Sequence, residues 1–437
     1  MPPDAESPLT AQGPTLRTLA PGVHLLGGQG HSLAVETSAG VVLVDTGSSR
    51  RMAESLHERL RTVTEAPVRW IVYSHGHLGY NYGVPAWLAA AEGRGEPRPT
   101  VVAHRNVAAR YRRYHETTGL QNTLNRLQFR GTLRTPDRLP LTFPDQEYEG
   151  SLTLHAEGGR TVRLLSAPSE TDDVTAVWLP EERLLYGSAA VIHSVPNVGT
   201  PLRTQRDPVR WADTLDRLAD LRPAVLVPEF GRVLEDPGEI RRMLTGSAAA
   251  LRWLRRETVA RMNRGMTAAE IVNDLDYPAE LFGTWWMKPV YGHPEFIVRD
   301  IYRSENGWWE DRNPTSLHPA APAVAATAVA SAITDKAGVL ARVRELRDAG
   351  RLQEALHAVD LLALAPAGDG EDGGGEGDGS GSGGSSSGGS GGSGSGGGGK
   401  SELAAARRLK AELCALLAER ASSYISRSVY LAAREER

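Results

Sequence analysis

Four consecutive apolar residues, Val41-Val42-Leu43-Val44, end abruptly at Asp45-Thr46-Gly47, and this run most constrains the fold. A strand that faces water on one side alternates apolar with polar residues. An unbroken, mostly β-branched run needs cover on both faces. The chain then repeats the theme with helices between: residues 50–64 have helical apolar spacing, and VRWIVYS (68–74) is a second buried strand. TVVAH (100–104) and the helix after it continue the rhythm, while VHLLGG and HSLAVETSAG add strands upstream. Residues 151–187 are mostly strand again (SLTLHAE, TVRLLSA, VTAVWL, RLLYG). This order predicts a layered α/β domain with mixed sheets.

Beyond Pro228 the chain turns helical. Asp236-Pro237-Gly238-Glu239 combines a side-chain cap, a proline at the first helical position and an acid in the first turn. Thr267 and Glu270 make a capping box before IVNDL. Residues 337–366 form a helical hairpin turning at Asp348-Ala349-Gly350. Residues 367–399 are almost wholly Gly, Ser, Asp and Glu, which cannot bury apolar surface and predict a disordered insertion. Leu352, Ala355 and Leu356 before that gap, and Leu403, Leu409, Leu413 and Leu416 after it, are faces too small to stand alone. The expected organisation is therefore a tail at 1–13, an α/β domain at 14–320 and one helical domain at 321–437 interrupted at 367–399.

Composition narrows the function classes. A net charge of −4 over 437 residues gives no electrostatic footprint for nucleic acid or an anionic membrane. The single cysteine, Cys414, rules out an internal disulfide framework and a cysteine-rich zinc site. The opening residues MPPDAESPLT lack the basic and apolar regions of a secretory leader, so the expected setting is cytoplasmic.

The chemistry lies in Ser74-His75-Gly76-His77-Leu78-Gly79-Tyr80-Asn81, directly after a buried strand. Two histidines two apart on a loop can aim both imidazoles at one metal ion, although such pairs are more often surface or hydrogen-bonding residues. In context the segment resembles the HxHxDH motif of the metallo-β-lactamase superfamily, and LVDTG (43–47) resembles that fold's upstream strand and loop. SAPSETDDVTAVWLPEERLLYGS (166–188), VLVPEFG (225–231) and the run from PEFIVRDIYR to GWWEDRNPTSLHP (294–319) are similar to the alkylsulfatase-like group, as are the last hundred residues to its helical dimerisation domain. The resemblance implies an αββα metallo-β-lactamase sandwich followed by an all-α dimerisation domain, and a homodimer paired through the C-terminal helices.

Carried over residue by residue, the resemblance implies a half-dismantled two-metal site. One metal's ligands are kept as His75, His77 and Glu170. Gly79, Tyr80 and Phe230 stand at the second metal's ligand positions, and Ser188 at the bridging acid. Two histidines and a carboxylate suit one zinc ion with an open position, or iron(II), and the cluster can equally persist with no metal. Among the neighbours, Tyr80, His193 and Arg312 are catalytic candidates. Tyr80 either hydrogen-bonds a substrate oxygen or fills vacated volume beside Tyr82 and Phe230. Glu229 and His193 flank lost-ligand positions and could supply a donor or a base; in the plainer reading, which is preferred, Glu229 is a solvated turn residue and His193 an ordinary polar one. Asp172 and Asp173 either orient the ligand histidines or are turn residues.

Arg299, Arg303, Arg312 and Asn313 belong to the segment that closes over the site in relatives, where an arginine can clamp an anionic group; structural ion pairing is the commoner fate. Trp285, Trp286, Tyr291, Trp308 and Trp309 either line a substrate pocket or form core. Trp286, Tyr291, Arg299 and Asn313 are the substrate-binding candidates. The expected function is a hydrolase, or a lyase derived from one, with at most one metal, acting on a small anionic or ester-like substrate. The alternative is an inactive dimer that binds a ligand or partner.

Overall fold

Both faces of the Val41–Val44 run are covered because two sheets and their flanking helices stack in four layers. The computed structural model describes residues 15–130, 136, 138–154, 159–366 and 396–435. The tail expected at 1–13 lies outside the described residues, as does 367–395 of the insertion.

The first sheet runs in sequence order: β1 (Leu16–Ala20), β2 (Val23–Leu26), β3 (Ser32–Thr37), β4 (Gly40–Val44), β5 (Val68–Val72), β6 (Thr100–His104) and β7 (Gln146–Tyr148). β1 to β4 pair antiparallel through short turns, whereas β4 to β7 pair parallel through helical crossovers. The second sheet has the order β12-β11-β10-β9-β8, from β8 (Ser151–Leu154), β9 (Val162–Ser166), β10 (Thr175–Leu179), β11 (Leu184–Ser188) and β12 (Val225–Pro228). Alternate residues of β4 go to opposite sides. Val42 and Val44 meet Val177, Leu179 and Val227 of the other sheet, while Val41 and Leu43 pack with Leu56, Leu60 and Trp87 of the outer helices. The second sheet's outer face is covered by the helices Pro208–Asp220, Pro237–Met262 and Pro294–Asn306. This is the αββα sandwich that the resemblance implies.

Local signals hold at most helix starts. Ser49 caps the helix Arg50–Leu60, Asp236 caps Pro237–Met262, and the Thr267–Glu270 capping box is formed on both sides. The first of these helices stops four residues short of the expected 64, where Thr62, Thr64 and Pro67 end its apolar spacing.

Residues up to Arg312, with Ser422–Ile425, form one compact unit, and Asn313–Ala421 with Ser426–Arg437 form another. In the second unit, Lys336–Asp348 and Leu352–Ala363 make the expected hairpin, with Gly350 left-handed (φ 76°) at the turn. Its core joins Leu352, Ala355 and Val359 to Leu409 and Leu413, so the two half-faces on either side of the Gly/Ser run do complete each other. The later helix spans Gly396–Arg420 and takes in the last four residues of that run, which the strong helix formers after it extend backwards. No single helix among the described residues is long and apolar enough to cross a membrane.

Candidate active site

The chemically important side chains sit where strands end: Asp45 after β4, Ser74 and His75 after β5, Glu170 between β9 and β10, Ser188 at the end of β11, and Glu229 after β12. Asp45, left-handed at φ 59°, accepts hydrogen bonds on Oδ1 from Ser74 N and Asn81 Nδ2 (both 2.9 Å) and so clamps both ends of the histidine loop. Complete burial pushes its carboxyl up to about 6. Asp173 Oδ2 accepts from Gly76 N (3.2 Å), between the two histidines, and from Arg110 Nε (2.6 Å). Arg110 also reaches Asp172 (2.6 Å). These acids therefore hold backbone and guanidinium instead of orienting the imidazoles. Ser74 Oγ does that, 2.9 Å from His75 Nδ1.

His75 Nε2 lies 3.0 Å from His77 Nδ1, and Glu170 Oε2 lies 3.6 Å from the same nitrogen. One ligand atom from each of the three falls within 4.8 Å of the others, the one such group among the described residues. Two nitrogens on one tetrahedral zinc stand about 3.3 Å apart, so the cluster fits a single small ion. Burial drops the His75 ring to about 4 and His77 well below its ordinary range, which keeps both neutral and ligand-ready at pH 7. Glu170 Oε1 is occupied by Asn197 Nδ2 (2.9 Å) and Arg206 (3.2 Å), leaving Oε2 to the histidines.

The positions assigned to a second metal are otherwise engaged. Gly79 has φ 97°, a conformation that a carboxylate-bearing residue would adopt only under strain. Ser188 is fully buried with Oγ 3.4 Å from Ser74 O, and Phe230 is buried on the cavity wall. The Tyr80 hydroxyl donates a short hydrogen bond to Glu229 Oε1, which is 3.7 Å from His75 Nε2. The reading of Glu229 as a solvated turn residue is thus corrected: it is 4% exposed, and burial pushes its carboxyl well above the usual range. The reason is that the turn after β12 is stitched inward by His31 N to Glu229 O (2.9 Å) and Glu229 N to Val191 O (3.0 Å).

His77 and Glu170 face a cavity of about 400 Å³, with His75 buried behind them. Its wall carries four arginines (Arg110, Arg113, Arg203, Arg206), four tyrosines (Tyr80, Tyr82, Tyr114, Tyr291) and amides including Gln121, Asn125, Gln128 and Asn197, with Leu78, Leu124 and Ile192 among the apolar members. Arg203 donates to Asn125 Oδ1 (2.8 Å) and has no ion pair among the described residues; burial lowers its pKa.

Of the catalytic and substrate-binding candidates, Tyr80 and Tyr291 line this cavity and the others do not. Arg299 and Arg303 are exposed on the helix Pro294–Asn306. Arg312 is exposed and donates to Gly265 O (2.7 Å), and Asn313 belongs to the second unit, where it caps the helix Pro314–Leu317. Trp285 and Trp286 pack against the core beneath the second sheet, and Trp308 is 64% exposed. The arginines on the cavity wall instead come from the irregular loop at 203–206 and the helix Asn106–Glu116, where neither periodicity nor a motif marks them.

His193 also lies off the cavity wall, packed edge-on to Trp285 (4.8 Å) with its Nε2 buried and unpartnered. Burial, then the nearby Arg232, lowers its pKa to about 4. Below pH 6.5 the unfolded chain binds a proton that the folded protein refuses until about pH 4, so this residue's contribution to stability falls with pH across that window. We expect it to cost about 2 kcal/mol between pH 6.5 and 5. Denaturant melts of wild type and His193→Gln at both pH values test this; equal acid sensitivity would contradict it.

A family model described as metallo-beta-lactamase superfamily matches residues 25–229, and one described as alkyl sulfatase dimerisation matches residues 267–372. Residues 25–229 thus match a metallo-beta-lactamase domain, followed by an alkyl sulfatase dimerisation match. The chain is similar to a linear primary-alkylsulfatase of Pseudomonas sp. (strain ATCC 19151), 28% identical over 320 residues that cover 66% of this chain and 58% of the relative. It is also similar to the alkyl/aryl-sulfatase BDS1 of Saccharomyces cerevisiae, 24% identical over 364 residues, 76% of this chain and 54% of the relative. The chain thus spans little more than half the length of these curated relatives. Its fold matches that of the stereoselective inverting sec-alkylsulfatase Pisa1 from Pseudomonas sp. (TM-score 0.76, 19% identity, 97% of this chain and 65% of that one).

Proposed function

We propose that this metallo-beta-lactamase-fold chain hydrolyses small organic sulfate monoesters with the help of one divalent ion, held by His75, His77 and Glu170. The observation that carries the reading is the meeting of two neutral imidazoles and a carboxylate beside an arginine-lined cavity. Zinc suits these ligands best, with iron(II) the alternative. A bound ion would supply Lewis acidity and bring the pKa of a water towards ~7.

The chain's own groups account for the rest. Arg203, half-buried and without a carboxylate partner among the described residues, is poised for an anionic ester headgroup, and Arg113 adds charge nearby. Arg206 and Asn197 hold Glu170 in place. Tyr80 and Glu229, locked together, occupy the region where the family resemblance puts a second ion. Water then splits the ester into an alcohol and hydrogen sulfate. The helices of the second unit pair two copies of the chain.

Metal analysis tests this reading. We expect about one ion per chain after zinc loading, none in the His75→Ala/His77→Ala variant, and turnover of short alkyl sulfates by the wild type alone. Two ions per chain would refute the one-metal site. An absence of metal and turnover in the loaded wild type would favour the alternative, a dimer that only binds.

A further inference from the structure

The helix Thr118–Phe129 is amphipathic in reverse. Its two buried side chains are glutamines, Gln121 and Gln128, at 4% and 2% exposure, while Leu120 is 52% exposed. Gln121, Asn125 and Gln128 are spaced i, i+4, i+7 and so share one face, and all three line the cavity. Amide groups are rarely buried unless they are hydrogen-bonded. Here that requirement is only partly met. Gln128 Nε2 is 2.5 Å from the Tyr291 hydroxyl, but its Oε1 is buried with no partner. Turning the amide over would pair the oxygen and leave the nitrogen free instead, so one polar atom of Gln128 stays unsatisfied in either orientation.

Tyr291 cannot swing away to relieve this. Its ring stacks on Tyr424 (5.9 Å, 6° between planes), and its carbonyl accepts from Ser423 Oγ (2.6 Å). The same helix face leads to the anion site, since Asn125 Oδ1 holds Arg203. Asn125 and Gln128 are three residues apart, about 4.5 Å along the helix axis. A headgroup at Arg203 and a polar atom beside Gln128 are therefore within reach of one short carbon chain.

From this arrangement we propose that the cavity selects a hydroxylated organic sulfate, a polyol monoester, over a plain alkyl sulfate, and that Gln128 is the residue that reads the hydroxyl. A hydroxyl both donates and accepts, so it satisfies the amide in either orientation, which an alkyl chain cannot do. The proposal rests on the sulfate-ester reading above for its headgroup and on Gln128 for its selectivity.

The test compares 2,3-dihydroxypropyl sulfate with n-propyl sulfate, of equal carbon number, for wild type and Gln128→Leu. The wild type is expected to favour the dihydroxy ester by about tenfold or more in kcat/KM, the worth of one or more good hydrogen bonds. In Gln128→Leu the ratio should fall to near one. A parallel loss on both esters would mean that Gln128 merely supports the wall and would overturn the proposal, as would a wild-type preference for propyl or longer plain chains. If neither ester is turned over, the hydrolase reading fails separately. Calorimetric binding of the same two esters to both proteins still decides selectivity: tighter dihydroxypropyl sulfate binding that disappears in Gln128→Leu upholds it, and equal or no binding of the two esters overturns it.

Discussion

Replacing Arg110 by methionine is expected to destabilise the first unit by about 3–5 kcal/mol, the cost of stranding a buried charge. Asp173 has a fully buried side chain. Burial would push its carboxyl up, but Arg110, with help from the Thr171 hydroxyl, outweighs that and holds it below the ordinary carboxylate range. With the guanidinium gone, Asp173 must either take up a proton or remain charged without its main counter-ion. Its bond to Gly76 N then weakens, and the loop carrying His75 and His77 loses a support. Urea unfolding of Arg110→Met, Asp173→Asn and the double variant measures the coupling. The double variant should lose much less stability than the sum of the two single losses, because removing both partners removes the stranded charge. Strict additivity, or a loss below 1 kcal/mol in Arg110→Met, would refute this account.

Glu170→Gln is expected to lower metal affinity by about a hundredfold or more, since partners that only touch a ligand already change affinity by 10–100-fold. The amide keeps the shape of the carboxylate and can still bond Asn197. It cannot supply a charged oxygen beside His77, and it leaves Arg206, whose side chain is 5% exposed, without its carboxylate. Competition against a chelator of known affinity reads the first effect, and a thermal melt of the metal-free protein reads the second. If the three residues form only a polar cluster, the melt alone will respond and wild type and variant will hold equally little metal.

Much of the molecule was legible from local pattern. The unbroken Val41–Val44 run requires cover on both faces, and the two hydrophobic layers on either side of β4 provide it. Capping groups at Ser49, Asp236 and Thr267 act within one turn of the residues that carry them, so they read directly. His75 and His77 were visible for the same reason, as two residues on one loop after one strand. Glu170 came from family likeness, and the fold then carried it across from the other sheet to within 3.6 Å of His77.

What eluded local reading depends on distant partners. PEFG looks like an exposed turn, yet backbone bonds to His31 and Val191 draw Glu229 inside, where Tyr80 meets it across 149 residues. Arg203 and Arg206 sit in a loop with no periodicity, and Gln128 becomes a cavity residue only because its helix turns an amide face inward. Arg299, Arg312 and Trp286 were plausible by proximity in sequence to a signature, but they face solvent or core.

By itself, then, the sequence determined the strand and helix order, the caps and the surviving His75-x-His77 pair, because backbone propensity and apolar periodicity act over a few residues. The tertiary structure alone decided which charges face the cavity and that Tyr80 and Glu229 meet beside His75. Burial and hydrogen bonding there join residues roughly 30 to 150 positions apart, and free energies of that kind exist only once the sheets have packed.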